Sequence, residues 1–319
     1  MPPLPRRVLA ALLAAPAAAP AQPAWPDRPV RFVVAFAPGG PADIIARLLA
    51  QGLSEIWPQP VVVENRAGAG GNVAAQLVAR AAPDGLTALV TTSAFAVNVT
   101  LSRQPGYRPE QFRTAAIVAG TPNLFAVRAE GELRSLADLV ALGRRRPLNF
   151  GSAGVGSTPH LSAENLLRRI ARVEAQHIPY PGAAPALTAV IAGQIDMASV
   201  ALPAAVPLLQ AGRIRGLAVT AAARVAAAPD VPTVAEAGFE PVVDLTWVAV
   251  LLPAGVPEAI LEQVNRDIAR LLASPAFAAR LAATGFDPIG GTRAAAEEFM
   301  AREIDRWGSI VRALDLALD

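Results

Sequence analysis

Apolar residues fall along this chain in short unbroken runs, each closed by a glycine- or proline-rich loop and followed by residues at helical spacing. Val30 to Phe36 (VRFVVAF) has the length of a buried strand. Ala37-Pro38-Gly39-Gly40-Pro41-Ala42-Asp43 stops it, and Ile44 to Leu53 follows as a helix. Pro41 suits a first helical position, and Asp43 places an acid in the first turn. Val61-Val62-Val63 is the next strand, running through Glu64-Asn65-Arg66-Ala67-Gly68-Ala69-Gly70-Gly71-Asn72 into a helix from Val73 to Ala82. Pro83-Asp84-Gly85 is a turn, and Leu86 to Thr91 is a third strand ending in Thr91-Thr92-Ser93. Strand, glycine-rich loop and helix in repetition predict an α/β fold with a parallel sheet.

A second round has the same rhythm. Leu124 to Val127 is a strand, and Ser135 caps a helix from Leu136 to Arg144. Leu148 to Phe150 leads into the loop Gly151 to Thr158, where Thr158-Pro159 reads as the start of a helix reaching about Ile170. Ala175 to Ile178 is a strand before Pro179-Tyr180-Pro181-Gly182, and Pro185 to Ala192 is helical. Ile195 to Val200, Leu217 to Thr220 and Trp247 to Leu252 are further strands. Pro257 to Leu318 is mostly helical, with breaks at Ser274-Pro275 and Gly285 to Gly291.

The first 21 residues stand apart from this rhythm. Arg6 and Arg7 precede eight apolar residues, Val8 to Ala15, and Ala19-Pro20-Ala21 fits a small-x-small cleavage rule. That pattern predicts a secretory signal peptide over 1–21, too short in its apolar part to span a bilayer. Its removal takes away two arginines and no acid, so the mature chain carries 26 bases against 26 acids. A net charge near zero, with Arg144-Arg145-Arg146 as the one dense basic run, argues against a nucleic-acid partner. The expected product is exported to the periplasm, soluble and monomeric.

Composition removes whole classes of chemistry. The chain has no cysteine and no lysine; all 28 basic residues are arginine. Disulfides, thiolate metal sites, cysteine nucleophiles, Schiff bases and the lysine of a phosphate-binding loop are excluded. His160 and His177 are the only histidines and show no clustered acid, so neither a metal site nor a catalytic set is expected. The glycines at 151, 154 and 156 lack dinucleotide spacing, and no cofactor is expected.

Three strand-to-helix loops share one design: Pro38 to Asp43, Gly151 to Thr158 and Pro181 to Pro185. Each combines glycine with a helix start, whose unpaired N–H groups and positive dipole end attract anions. Ser152, Ser157, Thr158, Thr92 and Ser93 add hydroxyls. Such loops can hold a carboxylate without a cation.

These loops also carry a resemblance. WPDRPVRFVVAFAPGGPADIIARLLA (25–50), PVVVENRAGAGGNVAAQLVARAAPDG (60–85), NFGSAGVGSTPHLSAENL (149–166), HIPYPGAAPALTAVIAGQIDM (177–197), LLQAGRIRGLAVTAAAR (208–224), PDVPTVAEAGF (229–239) and LLPAGVPEAILEQVN (251–265) occur in family order. Together they make the chain resemble the tripartite tricarboxylate transporter receptors, or Bug proteins. The resemblance implies a type II periplasmic binding-protein fold: two α/β lobes around a cleft, here 22–122 plus 248–319 and 123–247, with crossings near Gly120–Phe125 and Asp244–Val250. It implies capture of a small carboxylate and delivery to the membrane permease of a tripartite tricarboxylate transporter. A sensor kinase as partner stays open, as does a nucleotide-dependent α/β enzyme. Phe36, Gly39, Gly40 and Asp43 match the family's first loop; Ser152, Gly154, Gly156, Ser157, Thr158 and His160 match the second. Tyr180 directly precedes the third loop, and Asp196 matches an aspartate that orients cleft backbone or binds an amino group. Where relatives often carry polar residues, this chain has Ala42, Ala94-Phe95, Pro181, Val200 and Ala201. A less polar cleft predicts a ligand with one carboxylate and an apolar or aromatic body.

Overall fold

A computed structural model describes residues 25–313; the expected signal peptide lies outside them. In chain order the elements are β1 (Val30–Val34), α1 (Pro41–Ile56), β2 (Val61–Asn65), α2 (Asn72–Ala79), β3 (Thr87–Thr92), α3 (Ala94–Leu101) and the long β4 (Phe112–Arg128). There follow α4 (Leu136–Gly143), β5 (Leu148–Ser152), α5 (Thr158–Glu164) with a wider turn over Asn165–Ile170, β6 (Ala175–Pro179), α6 (Ala183–Ile191), β7 (Met197–Ala201), α7 (Leu202–Gln210) and β8 (Ile214–Val219). The chain closes with β9 (Leu245–Pro253), α8 (Glu258–Leu272), α9 (Pro275–Ala283), β10 (Asp287–Pro288) and α10 (Arg293–Ala313).

The strands form two half-sheets of one design. In the first the order is β2-β1-β3-β9-β4; in the second it is β6-β5-β7-β4-β8. In each half a parallel trio is followed by one strand running the other way, β9 in the first and β4 in the second. The expected parallel sheet is present in each half, with one reversed strand added beside the parallel trio. The reversed strand is in each case the stretch of chain that joins the halves. β4 pairs with β9 from Phe112 to Pro122 and with β7 from Asn123 to Ala126, so the change of sheet falls at Pro122–Asn123. The return passes Asp244, whose N–H donates to the Thr220 carbonyl, into β9.

Apolar cores follow the halves. One contains Phe32, Leu49, Leu89, Trp247 and Trp307; the other half buries Phe125, Phe150 and Leu167 on one sheet face and Leu187, Val200 and Val219 on the other. α1 shows how sequence dictates placement: Pro41 starts it, Ile45, Leu49 and Leu53 bury one stripe, and Trp57-Pro58 ends it. The last helix is pinned by Glu303, whose carboxylate accepts from both the Trp247 and Trp307 indoles at 2.6 and 3.0 Å.

Candidate functional site

Parallel α/β sheets place ligands beyond the carboxyl ends of their strands, and here those ends from both halves meet. Ala37, after β1, donates its N–H to the Pro181 carbonyl, after β6, at 3.4 Å. Behind this contact lies a cavity of about 20 Å³ lined by Phe36, Gly40, Pro41, Thr92, Ala153, Ser157, Pro159, Ala183, Ala201 and Thr246. Beside it, sharing Phe36 and Ala153, a cavity of about 470 Å³ opens to solvent past Gly68–Asn72, Gln76, Ser102, Gln104, Gly154, Val155 and Tyr180.

Three helix starts converge on the inner cavity: Gly40–Pro41 of α1, Ala183 of α6, and Ala201 ahead of α7. None of the three has a side-chain cap, so their first N–H groups and dipole ends remain for a ligand. α5 is different: Ser157 Oγ accepts from the His160 N–H at 3.3 Å and caps that helix itself. Neither cavity wall includes an arginine, histidine, aspartate or glutamate among the described residues. An anion here would be held by backbone dipoles and hydroxyls.

Of the residues singled out from sequence, Phe36, Gly40, Thr92 and Ser157 line the inner cavity, and Gly154 and Tyr180 line the outer one with Phe36. The Thr92 hydroxyl accepts from the Ala94 N–H at 3.3 Å, which leaves its proton to give. Gly39 sits at φ +82°, with its missing Cβ facing Ala184 across the cleft. The rest stand behind the walls. Ser152 Oγ lies 2.8 Å from His177 Nε2 and accepts from the Gly154 N–H. His160 stacks on His177 at 4.0 Å between ring centres, and its Nδ1 accepts from the Gly156 N–H at 3.4 Å. His160 Nε2 lies 3.7 Å from Glu164 Oε1. His177 is pushed down to about 3 by burial and by the neighbouring His160, so it is neutral.

Two aspartates stand off both cavity walls. Asp43, 3% exposed, turns its carboxylate into its own loop: it accepts from the Gly39 N–H at 2.9 Å, Asn65 Nδ2 at 2.9 Å and Arg47 Nε at 3.0 Å. Burial opposes its ionisation, but the Arg47, Gly39 and Asn65 hydrogen bonds outweigh burial and hold its pKa below the ordinary value. Asp43 braces the loop that carries Gly40 and touches neither cavity. Asp196 precedes β7, while Ala201 at the other end of that strand lines the cavity, a separation of about 17 Å for five residues. Its carboxylate instead takes both Arg146 amines, at 2.9 and 2.5 Å, and the Asn149 N–H.

Sequence reasoning missed Thr246 and Asn123, on the crossing strands. Ser93, Thr158, Thr246 and Asn123 form a buried chain with contacts of 3.1, 2.5 and 2.7 Å, continuing from Asn123 Nδ2 to Ser162 and Asp244 at 3.1 Å each. Asn123 Oδ1 can only accept, so Thr246 donates to it, Thr158 to Thr246 and Ser93 to Thr158. Every proton in the chain points one way, across the junction between halves. Asn72 and Gln76 of the outer cavity were also missed.

The same fold recurs in proteins of known structure. A Rhodopseudomonas palustris protein, Rpa4515, solved with adipate, is 37% identical with a TM-score of 0.88 over 92% of this chain and 99% of its own. MatC from the same organism, solved with malate, is 32% identical with a TM-score of 0.83 over 90% and 100%. BugT of Bordetella pertussis is 35% identical over 90% of either chain. Residues 45–316 match the tripartite tricarboxylate transporter family receptor as a whole. With the two-half fold, the converging helix starts and this match over most of its length, the chain belongs to the tripartite tricarboxylate transporter receptor family of periplasmic solute-binding proteins.

Proposed function

We propose that this protein captures a small carboxylate between its two halves and hands it to the membrane permease of a tripartite tricarboxylate transporter, after export and removal of residues 1–21. The observation that carries the reading is the convergence of three uncapped helix starts, at Gly40, Ala183 and Ala201, on one cavity. Dipole ends and free N–H groups there suit an anion. Aliphatic and aromatic walls from Phe36, Pro41, Ala153, Pro159 and Ala183 suit an apolar body next to the carboxylate. The halves, taken as lobes 22–122 plus 248–319 and 123–247, part about the crossing strands to admit the ligand and close on it. Rpa4515 with adipate and MatC with malate support a carboxylate as the cargo.

The test is a thermal-shift screen of the mature chain, unfolded and refolded to strip any retained ligand, against a panel of carboxylic acids. A ligand at a hundredfold excess over its Kd adds about 2.7 kcal/mol to stability. Stabilisation by a narrow set of monocarboxylates with apolar bodies is the expected result. Tight binding of citrate and none of benzoate-like acids would refute the one-carboxylate preference, and silence across the panel would refute the carboxylate reading.

A further inference from the structure

The outer cavity carries a polar pair that the inner one lacks. Asn72 and Gln76 lie one turn apart on α2, so they share a face. Asn72 is 4% exposed, and its Oδ1 accepts from the Tyr107 hydroxyl at 3.3 Å. Tyr107 is itself buried, and burial raises its pKa, so the phenol keeps the proton that it donates. That bond fixes which way round the Asn72 amide sits: its oxygen is taken, and its Nδ2, without a partner among the described residues, is the group left for the cavity. Gln76 is fixed in the opposite sense. Its Nε2 donates to the Pro105 carbonyl at 2.9 Å, and the chain makes room for it with Gly106, where a Cβ would stand 2.3 Å from that nitrogen at a φ of +75°. Its Oε1 is left for the cavity.

We propose that the far end of the ligand is an uncharged group that both accepts and donates, with an amide as the best match, read by Asn72 Nδ2 and Gln76 Oε1. This inference rests on the carboxylate reading of the inner cavity and completes it: one carboxylate at the helix starts, an apolar body past Phe36, and a neutral amide at the mouth. A second carboxylate is discriminated against. It offers only acceptors, faces the Gln76 oxygen, and meets no cation among the described residues of either wall. The preference differs from the diacids seen with Rpa4515 and MatC.

The test is calorimetry on the refolded, ligand-free mature chain with three matched series: straight-chain diacids from succinate to suberate, the half-amide of each, and the plain monoacid of each length. At the best length the half-amide is expected to bind about tenfold tighter than the diacid, or 1.4 kcal/mol. Asn72→Ala should bring the two within about threefold, with the plain monoacid unchanged. Gln76→Arg, on a half-buried helix face, supplies a cation and should reverse the order in favour of the diacid; its melting curve reports that it folds. Diacid binding as tightly as half-amide in the wild type, or an unchanged preference in folded Gln76→Arg, overturns the inference while leaving carboxylate capture intact. Failure of all three series overturns both.

Discussion

The hydroxyl chain at the junction makes an unequal prediction for its members. Thr246→Val keeps the shape of the side chain and removes its hydroxyl. The Thr158 proton then loses its acceptor and Asn123 Oδ1 loses its donor, and both residues are buried, at 1% and 0% exposure. Stranding a buried polar group costs about 1–3 kcal/mol, two groups are stranded, and the added methyl returns about 0.8 kcal/mol, so the net loss is about 1–5 kcal/mol. Ser93→Ala sits at the donor end. It strands no proton, because Thr158 still donates to Thr246, and it costs about 1 kcal/mol. Equilibrium urea unfolding of the ligand-free chain reads both values as midpoint shifts at constant slope. A Thr246→Val loss no larger than that of Ser93→Ala would refute the one-way chain.

Three further outcomes follow from the same contacts. Gly182 is extended, at φ 176°, but its absent Cβ would lie 2.9 Å from Ala37 Cβ on the facing loop; Gly182→Ala should melt like the wild type and bind about tenfold more weakly by calorimetry. His177 has its folded pKa lowered to about 3 against an ordinary 6.5, so between those values the unfolded chain holds a proton that the folded chain refuses. Stability should therefore fall as pH drops below 6.5, by at most about 1.4 kcal/mol per pH unit, and His177→Gln should flatten the fall measured by urea titration down to about pH 4.5, above the carboxylate range. Ser157→Ala removes the α5 cap and one cavity hydroxyl, which should cost about 1 kcal/mol of stability and weaken ligand binding severalfold.

Much of the architecture was legible where a single force dominates. The runs at β1 and β3 are short and continuous because both faces are buried, and the Gly39-Gly40-Pro41 punctuation marks the loop that reaches the cavity. Legibility failed where forces conflict. The first half of β4 (FRTAAIVAGTP) interrupts Ile117 and Val118 with three alanines and a glycine ahead of a proline, which masks the strand signal until the second sheet is there to receive it. α3 (AFAVNVTL) is apolar on all sides, so no period marks it as a helix. α7 hides behind Pro203 and Pro207. Reversal of β4 and β9 follows from which half each strand comes from, which local pattern does not encode.

At the site, motif position identified the loops but not which way their side chains turn. Asp43 and Asp196 are acids next to cavity-bearing segments, yet each is drawn off by an arginine and backbone N–H groups. Thr246 contributes to the wall from a strand about 150 residues away from Thr92, a proximity that only the crossing creates. Asn72 acquires a defined donor only through Tyr107, 35 residues on.

The central claim is that an anion sits where the α1, α6 and α7 starts converge, and Gly40→Val tests it most directly. A Cβ at Gly40 meets nothing closer than the Ala37 carbonyl, at 3.6 Å, in an ordinary contact, so the fold accepts it. The two further methyl groups have only a cavity of about 20 Å³ to enter. Calorimetric titration of refolded wild type and Gly40→Val with the tightest carboxylate from the screen should show binding in the first and none in the second, at equal melting temperature. Equal affinity in the two would contradict the account, because the ligand would then lie elsewhere.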